Sequence, residues 1–286
     1  MNHSDNMSES TDITPLMEDY IVLQRLLKEG DTSNALQLSE ELLTRSRSIS
    51  ERNHYYEARI RMERALIGAV EEDEIGNELR WCVDRLNATS PHSSLHGIAL
   101  LNLASWHLNK NEFMMSLATH SEISPETNFP DEIVALSRLE TSRILTRMED
   151  YEPAMRHAWI ARTIFSKTSM IPEFLVSSLE WLDMALDNVD NDAPNMDFHV
   201  KNAKPREKPG VSTIASNPTD IELVVEDLIQ ITFQDLSGSE RNDIGLILDA
   251  SEILGINKWR EILIDRLPEI QDRKLLAALQ LSLIHI

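Results

Sequence analysis

The chain has 286 residues, 42% of them hydrophobic, which is enough for a continuous core and excludes a largely disordered chain. Its 27 basic and 48 acidic residues leave a formal net charge of -21, a balance that disfavours nucleic acid and anionic membrane surfaces as partners. A single cysteine, Cys82, permits no internal disulfide, and no apolar run is long enough to span a bilayer, so a cytoplasmic location is expected.

Gly (8) and Pro (11) are scarce, and Leu, Ile, Ala and Met dominate the apolar set. These residues lose little rotamer freedom in a helix, so the composition predicts an all-α protein. Residues 1–13 are polar and acidic, lack the pattern of a signal peptide, and read as a disordered tail. Thr14-Pro15 supplies an N-cap and a proline at the first helical position. Leu16, Tyr20, Leu23, Leu26 and Leu27 then form an apolar stripe that Gly30-Asp31 stops. Thr32 opens a second helix, which completes an αα-hairpin.

The same layout recurs. Tyr56 to Ala69 and Ile75 to Leu86 make a second pair around the acidic turn Glu71 to Glu74. Leu95 to Leu108 and Phe113 to Ile123 make a third, around Asn109 to Glu112. Ile133 to Leu145 and Tyr151 to Phe165 make a fourth, and Pro172 starts a helix read as the cap of the stack. Thr32, Ile75, Phe113 and Tyr151, which open the second helices, lie about 40 residues apart, a period that predicts stacked hairpins.

Tyr151, Ala154 and Ala161 resemble the aromatic opening and the small pair of a tetratricopeptide repeat, and Gly30, Ala35 and Leu42 resemble it less fully. Phe113 fits, but Ser116 and Ile123 replace the small pair, and Glu78 and Arg85 stand there in the second unit. The resemblance covers about residues 15–187 and implies an α-solenoid of helix-turn-helix repeats over residues 14–187. In that family the first helix of each hairpin lines a groove for peptides or helices. The resemblance therefore makes Arg64, Asn102, Asn109, Arg143 and Arg147 candidate partner-binding residues, able to grip backbone amides and carboxylates. Pairing of Arg143 and Arg147 with Glu140 and other surface acids is the competing reading.

Residues 188–218 carry Pro194, Pro205, Pro209, Gly210 and Pro218 with no apolar period, so they are expected to be a flexible linker. Its rear half, with Lys201, Lys204, Arg206 and Lys208, also reads as a docking peptide for an acidic surface. Residues 219–280 read as a smaller helical unit, marked by Ile221 to Ile229, a helix ending near Leu254-Gly255, Trp259 to Leu267, and Leu275 to Leu279. The last six residues, Leu281 to Ile286, resemble a translated sequencing-adapter sequence; they are expected to be an artefact, with the natural chain continuing past Gln280.

No catalytic or cofactor constellation stands out. His92 and His96 lie four apart but lack the intervening carboxylate of a zinc helix. Asn188, Asp190 and Asp192 begin like a calcium loop, yet Ala193 and His199 replace its glycine and bidentate glutamate. Cys82 reads as a small buried residue. The expectation is a non-catalytic protein–protein interaction scaffold or adaptor with no metal and no cofactor. The alternative is a regulatory or sensor region whose output domain lies beyond residue 280.

Overall fold

A hydrogen-bonded turn, used five times, sets the architecture. The computed structural model describes residues 13–48, 53–204, 208–232, 241–270, 273, 276 and 277. Among these the chain is all-α, built of helices packed in succession on their sequence neighbours. The first four hairpins are α1 (Ile13–Glu29) with α2 (Thr32–Ser48), α3 (His54–Leu66) with α4 (Ile75–Thr89), α5 (Ser94–Asn109) with α6 (Phe113–Ser121), and α7 (Asp131–Arg147) with α8 (Tyr151–Phe165). They are followed by α9 (Ile171–Leu186), α10 (Met196–Lys201), α11 (Pro218–Thr232), α12 (Arg241–Leu254) and α13 (Asn257–Arg266). The expected anchors Thr32, Ile75, Phe113 and Tyr151 are the first residues of α2, α4, α6 and α8.

Each turn is a left-handed cap. Gly30 (φ 76), Asn111 (φ 60) and Glu149 (φ 57) stand two residues before those anchors. The N–H of the following residue reaches back five positions: Asp31 to the Leu26 carbonyl (3.0 Å), Glu112 to His107 (2.9 Å) and Asp150 to Leu145 (2.9 Å). These are Schellman closures, which satisfy carbonyls left open at the end of the first helix. In the second hairpin Gly68 (φ 75) places Ala69 N–H on the Arg64 carbonyl (3.0 Å), and residues 70–74 lengthen the turn. The same closure joins α12 to α13, with Gly255 (φ 67) and an Ile256 to Ser251 bond of 2.9 Å.

Glu149 is the costly copy, because its Cβ crowds the carbonyl in this conformation. Glu149→Gly is therefore expected to stabilise the protein by about 1 kcal/mol, and Gly30→Ala to destabilise it by about as much. Paired urea melts check both; a destabilised Glu149→Gly variant refutes the strain.

Small residues let the paired helices approach. Ala58, Ala104 and Ala154 are fully buried, and their carbonyls accept from the opposite helix: Ala58 from the Cys82 thiol (3.5 Å), Ala104 from the Ser116 hydroxyl (2.8 Å), and Ala154 from the Ser142 hydroxyl (2.8 Å). Glycines set the contacts between hairpins. A Cβ added at Gly76 on α4 would lie 2.5 Å from the Trp106 ring of α5.

The chain divides into two units, residues 1–133 and 134–286, and the division falls within α7. In the first, Leu16, Tyr20, Leu23, Ala35, Leu42, Leu43 and Ile60 form a core that joins the first two hairpins. In the second, Ala135, Leu139, Ala161, Phe165 and Phe174 join α7, α8 and α9.

Two expectations about this second unit differ from what is observed. The helix read as a terminal cap, α9, packs against α8, α11 and α12, so the helices continue past it. The segment read as a linker carries α10, which packs on α8, and a bridge pairs Val189 with Ser216. The apolar pattern there is thin because Ala193, Met196 and Ile214 are its only buried hydrophobics among the described residues. Polar bonds do the rest: Trp159 Nε1–H donates to Asp197 (2.9 Å), Met196 N–H to Asp220 (2.7 Å) and Gly210 N–H to Asp150 (3.1 Å). Residues 1–12, Pro205 and Arg206, and the final segment 281–286 lie outside the described residues, as does most of the last expected helix.

Candidate functional site

First helices touch first helices in the first unit, and α7 touches α9 in the second. In the first unit, Tyr20 of α1 donates to Glu63 of α3 (2.9 Å), and the Asn102 amide of α5 approaches the Met62 sulfur of α3 (3.9 Å). The Arg59 guanidinium stacks over Tyr20 (4.6 Å) and faces Tyr55 (5.7 Å). Met17, Ile21, Tyr55 and Ile98, all on first helices, are exposed. In the second unit, Arg143 of α7 bonds Glu180 of α9 (2.8 Å), and the Thr146 hydroxyl points to the Met184 sulfur (3.9 Å).

The five candidate residues do not converge. Arg64 turns toward α2, where it meets Glu40 (2.7 Å) and Ser39 (3.1 Å). It therefore lies away from Asn102, because positions 62 and 64 fall on nearly opposite sides of α3. Asn102 and Asn109 share a face of α5, seven residues apart, with Asn109 exposed at its end. Arg143 is occupied by two carboxylates, Glu140 (2.6 Å) and Glu180 (2.8 Å). Arg147, exposed at the end of α7, has no ion-pair partner among the described residues.

Electrostatics in the second unit are acidic around these arginines. Burial pulls the Arg143 pKa down, but Glu180 and Glu140 outweigh it and leave it raised. Burial raises Glu180, and Arg143 only partly offsets this. Asp183 on α9 is raised by burial and by Asp187; Asp249 on α12 is raised by burial, Glu252 and Asp183. Carboxylates crowded in this way hold their protons more tightly than free ones. The charge of Arg143 is thus neutralised by Glu140 and Glu180, as the competing reading of its pairing with surface acids had it.

Other candidate chemistry is absorbed into the packing. Burial pushes the Cys82 thiol up to about 12, so it is a thiol and not a thiolate near neutral pH. His107 pairs with Glu112 through Nδ1 (2.6 Å). Among the described residues no group of three or more His, Cys, Asp or Glu is placed to hold a metal ion. No described helix is long and apolar enough to cross a membrane.

His96 accepts the His92 backbone N–H at Nδ1 (3.2 Å) and lies against the Phe129 ring (5.3 Å between centroids). Its proton therefore sits on Nε2, which is buried without a partner among the described residues. Burial, then the neighbouring His92, lowers its pKa. The unfolded chain takes up this proton first, so the stability tied to neutral His96 is present above about pH 6.5 and lost as pH falls from there toward the lowered value. The raised carboxylates act oppositely, favouring the fold as they protonate at lower pH. Thermal melts from pH 8 to 5 are expected to fall more steeply for the wild type than for His96→Gln; parallel curves refute the assignment.

Tyr55, Arg59 and Trp81 were not singled out as site residues by sequence: the stacking of Arg59 over Tyr20 depends on how α1 lies on α3, while Tyr55 stands four residues before Arg59 on α3 itself. Trp81 lies under Arg61 (4.0 Å) through the packing of α3 on α4, and beside Arg85 (5.4 Å) four residues along its own helix. Spacing within one helix reports the second contact and not the first.

No known protein family matches the chain, and no curated protein does. One solved structure, described as a crystal structure of BtubC (BKLC) from P. vanneervenii, is similar at 12% identity with a TM-score of 0.36, covering 87% of this chain and 80% of that one. At that score the likeness carries no argument about function.

Proposed function

We propose that the protein is a non-catalytic scaffold or adaptor, a tetratricopeptide-like helical-repeat protein that binds a peptide or helix of a protein partner on the exposed faces of its first helices. The observation that supports this reading is the direct contact of first helix with first helix in the first unit, from α1 to α3 and from α3 to α5, which sets their exposed residues side by side. Of the candidate residues, Asn102 and Asn109 of α5 in the first unit and Arg147 of α7 in the second are those not held by an acidic neighbour. Arg64 and Arg143 serve the fold, each already held by an acidic neighbour.

Capture of a protein partner from the native source, followed by titration of the purified pair, tests this. Arg147→Glu is expected to weaken binding at least tenfold with an unchanged melting temperature, while Asn102→Ala weakens it by a smaller factor. Arg143→Glu sets three carboxylates together and is expected to lower the melting temperature instead. Binding unchanged by both Arg147→Glu and Asn102→Ala overturns the proposal that the first helices of either unit hold the partner.

A further inference from the structure

Arg59 stands between the contacts that α3 makes with α1 and with α5. It points neither to α2, which takes Arg64, nor to α4, whose Cys82 thiol bonds the Ala58 carbonyl. Met62 on one side of it meets Asn102 of α5, and Glu63 on the other accepts the Tyr20 hydroxyl of α1 (2.9 Å). Positions 55 and 59 lie within about 40° of each other on the strip of α3 between those two contacts. On α1, Asp19 marks the side turned to α2, through its pair with Arg45. Met17 and Ile21 lie on the other side of Tyr20, about 60° and 100° round the helix from it. Met17 is 48% exposed, Ile21 56% and Tyr55 38%.

We propose, resting on the first-helix reading above, that this face of α1 and α3 takes an acidic amphipathic segment of a partner protein. Its apolar side chain lies on Met17, Ile21 and Tyr55, and its carboxylate pairs with Arg59. Charge complementarity carries the choice of occupant. Arg61 of α3 is held by Glu57 (3.2 Å) and Glu78 (2.8 Å), and Arg64 by Glu40 (2.7 Å). Arg59 is the one arginine of that helix with no carboxylate partner among the described residues. The nearby acid is already engaged: burial, then Glu63, push the Tyr20 hydroxyl up to about 12, so it stays a donor to Glu63. Arg59 is stacked instead over the Tyr20 ring (4.6 Å) and faces Tyr55 (5.7 Å). The rings hold the plane of the guanidinium and leave N–H donors at its edge for a carboxylate. The chain's net charge of -21 opposes an acidic partner at long range. Screening beyond about 8 Å at physiological salt leaves the contact at Arg59 to decide.

Panning a displayed library of random peptides on the intact chain supplies the probe. The binders are expected to be enriched in Asp or Glu beside a large apolar residue. Replacing that acid by its amide in the tightest peptide is expected to weaken binding at least tenfold on the wild type and less than twofold on Arg59→Gln, a coupling that a merely structural arginine does not produce. Tyr55→Ala is expected to weaken the same peptide at least threefold. Binders without acids, or an amide effect equal on both chains, overturn this inference; binding lost with Asn102→Ala or Arg147→Glu then leaves the scaffold reading standing. A library that yields no binder overturns both. Displacement of the peptide by poly-uridine RNA overturns a protein segment as the occupant. Should Arg59→Gln unfold, the amide effect on the wild type and the loss with Tyr55→Ala decide together, and either one absent overturns the proposal.

Discussion

Arg162→Ala is expected to cost the second unit about 3 kcal/mol, within the range for truncating a large, fully buried side chain to alanine. Arg162 is 4% exposed, placed between the Trp159 (5.0 Å) and Phe174 (5.4 Å) rings. It joins three helices: from α8 it donates to Ser178 of α9 (3.2 Å) and pairs with Asp227 of α11. Burial lowers its pKa despite Asp227 and Asp220, so desolvation outweighs the pairing and the charge itself is no net gain. What the alanine loses is packing between two rings and the partner of Asp227. Arg162→Met keeps most of the packing and is expected to cost less than half as much, since the Asp227 side chain is 33% exposed and rehydrates. Urea denaturation of both variants measures this, and equal losses would show that the charge, not the packing, is what matters.

The largest effect in the first unit is expected at Gly97. A Cβ there lies 2.4 Å from Ile133 Cγ2 and 3.3 Å from its Cβ, so the neighbour has little room to yield. Gly97→Leu is expected to destabilise by about 3 kcal/mol, the upper range for overpacking. Gly97→Ala is expected to cost less, because alanine recovers about 1 kcal/mol of helix propensity. The two sites should couple: Gly97→Ala combined with Ile133→Ala is expected to cost less than the sum of the single changes. Strict additivity in that cycle refutes the contact.

Legibility of the fold followed the range of the forces involved. The starts of α2, α4, α6 and α8 were readable because a turn and the stripe behind it are local, fixed within a few residues by capping and period. Glu149 was not readable as left-handed, since the residues that signal that conformation are glycine and asparagine, which only Gly30 and Asn111 supplied at these turns. The insertion was misread for a related reason. Three buried apolar residues spread over some thirty positions show no period, and bonds such as Trp159 to Asp197 join residues 38 apart.

The candidate site was less legible than the fold. Arg64 and Arg143 looked available because a sequence shows their charge and not their neighbours. Glu40 and Glu180 come from helices whose approach depends on packing. Asn109 and Arg147, at helix ends, are exposed.

By itself, then, the sequence determined the helical class, the four anchors at a period of about 40 residues, and the acidic balance of -21, all properties of local pattern or composition. The tertiary structure alone decided that α11 and α12 pack on α9, that Gly210 and Ile214 bond to the start of α8, and which arginines are consumed by carboxylates. Those outcomes depend on contacts between residues far apart in the chain, where burial and charge are set by neighbours that no local pattern names.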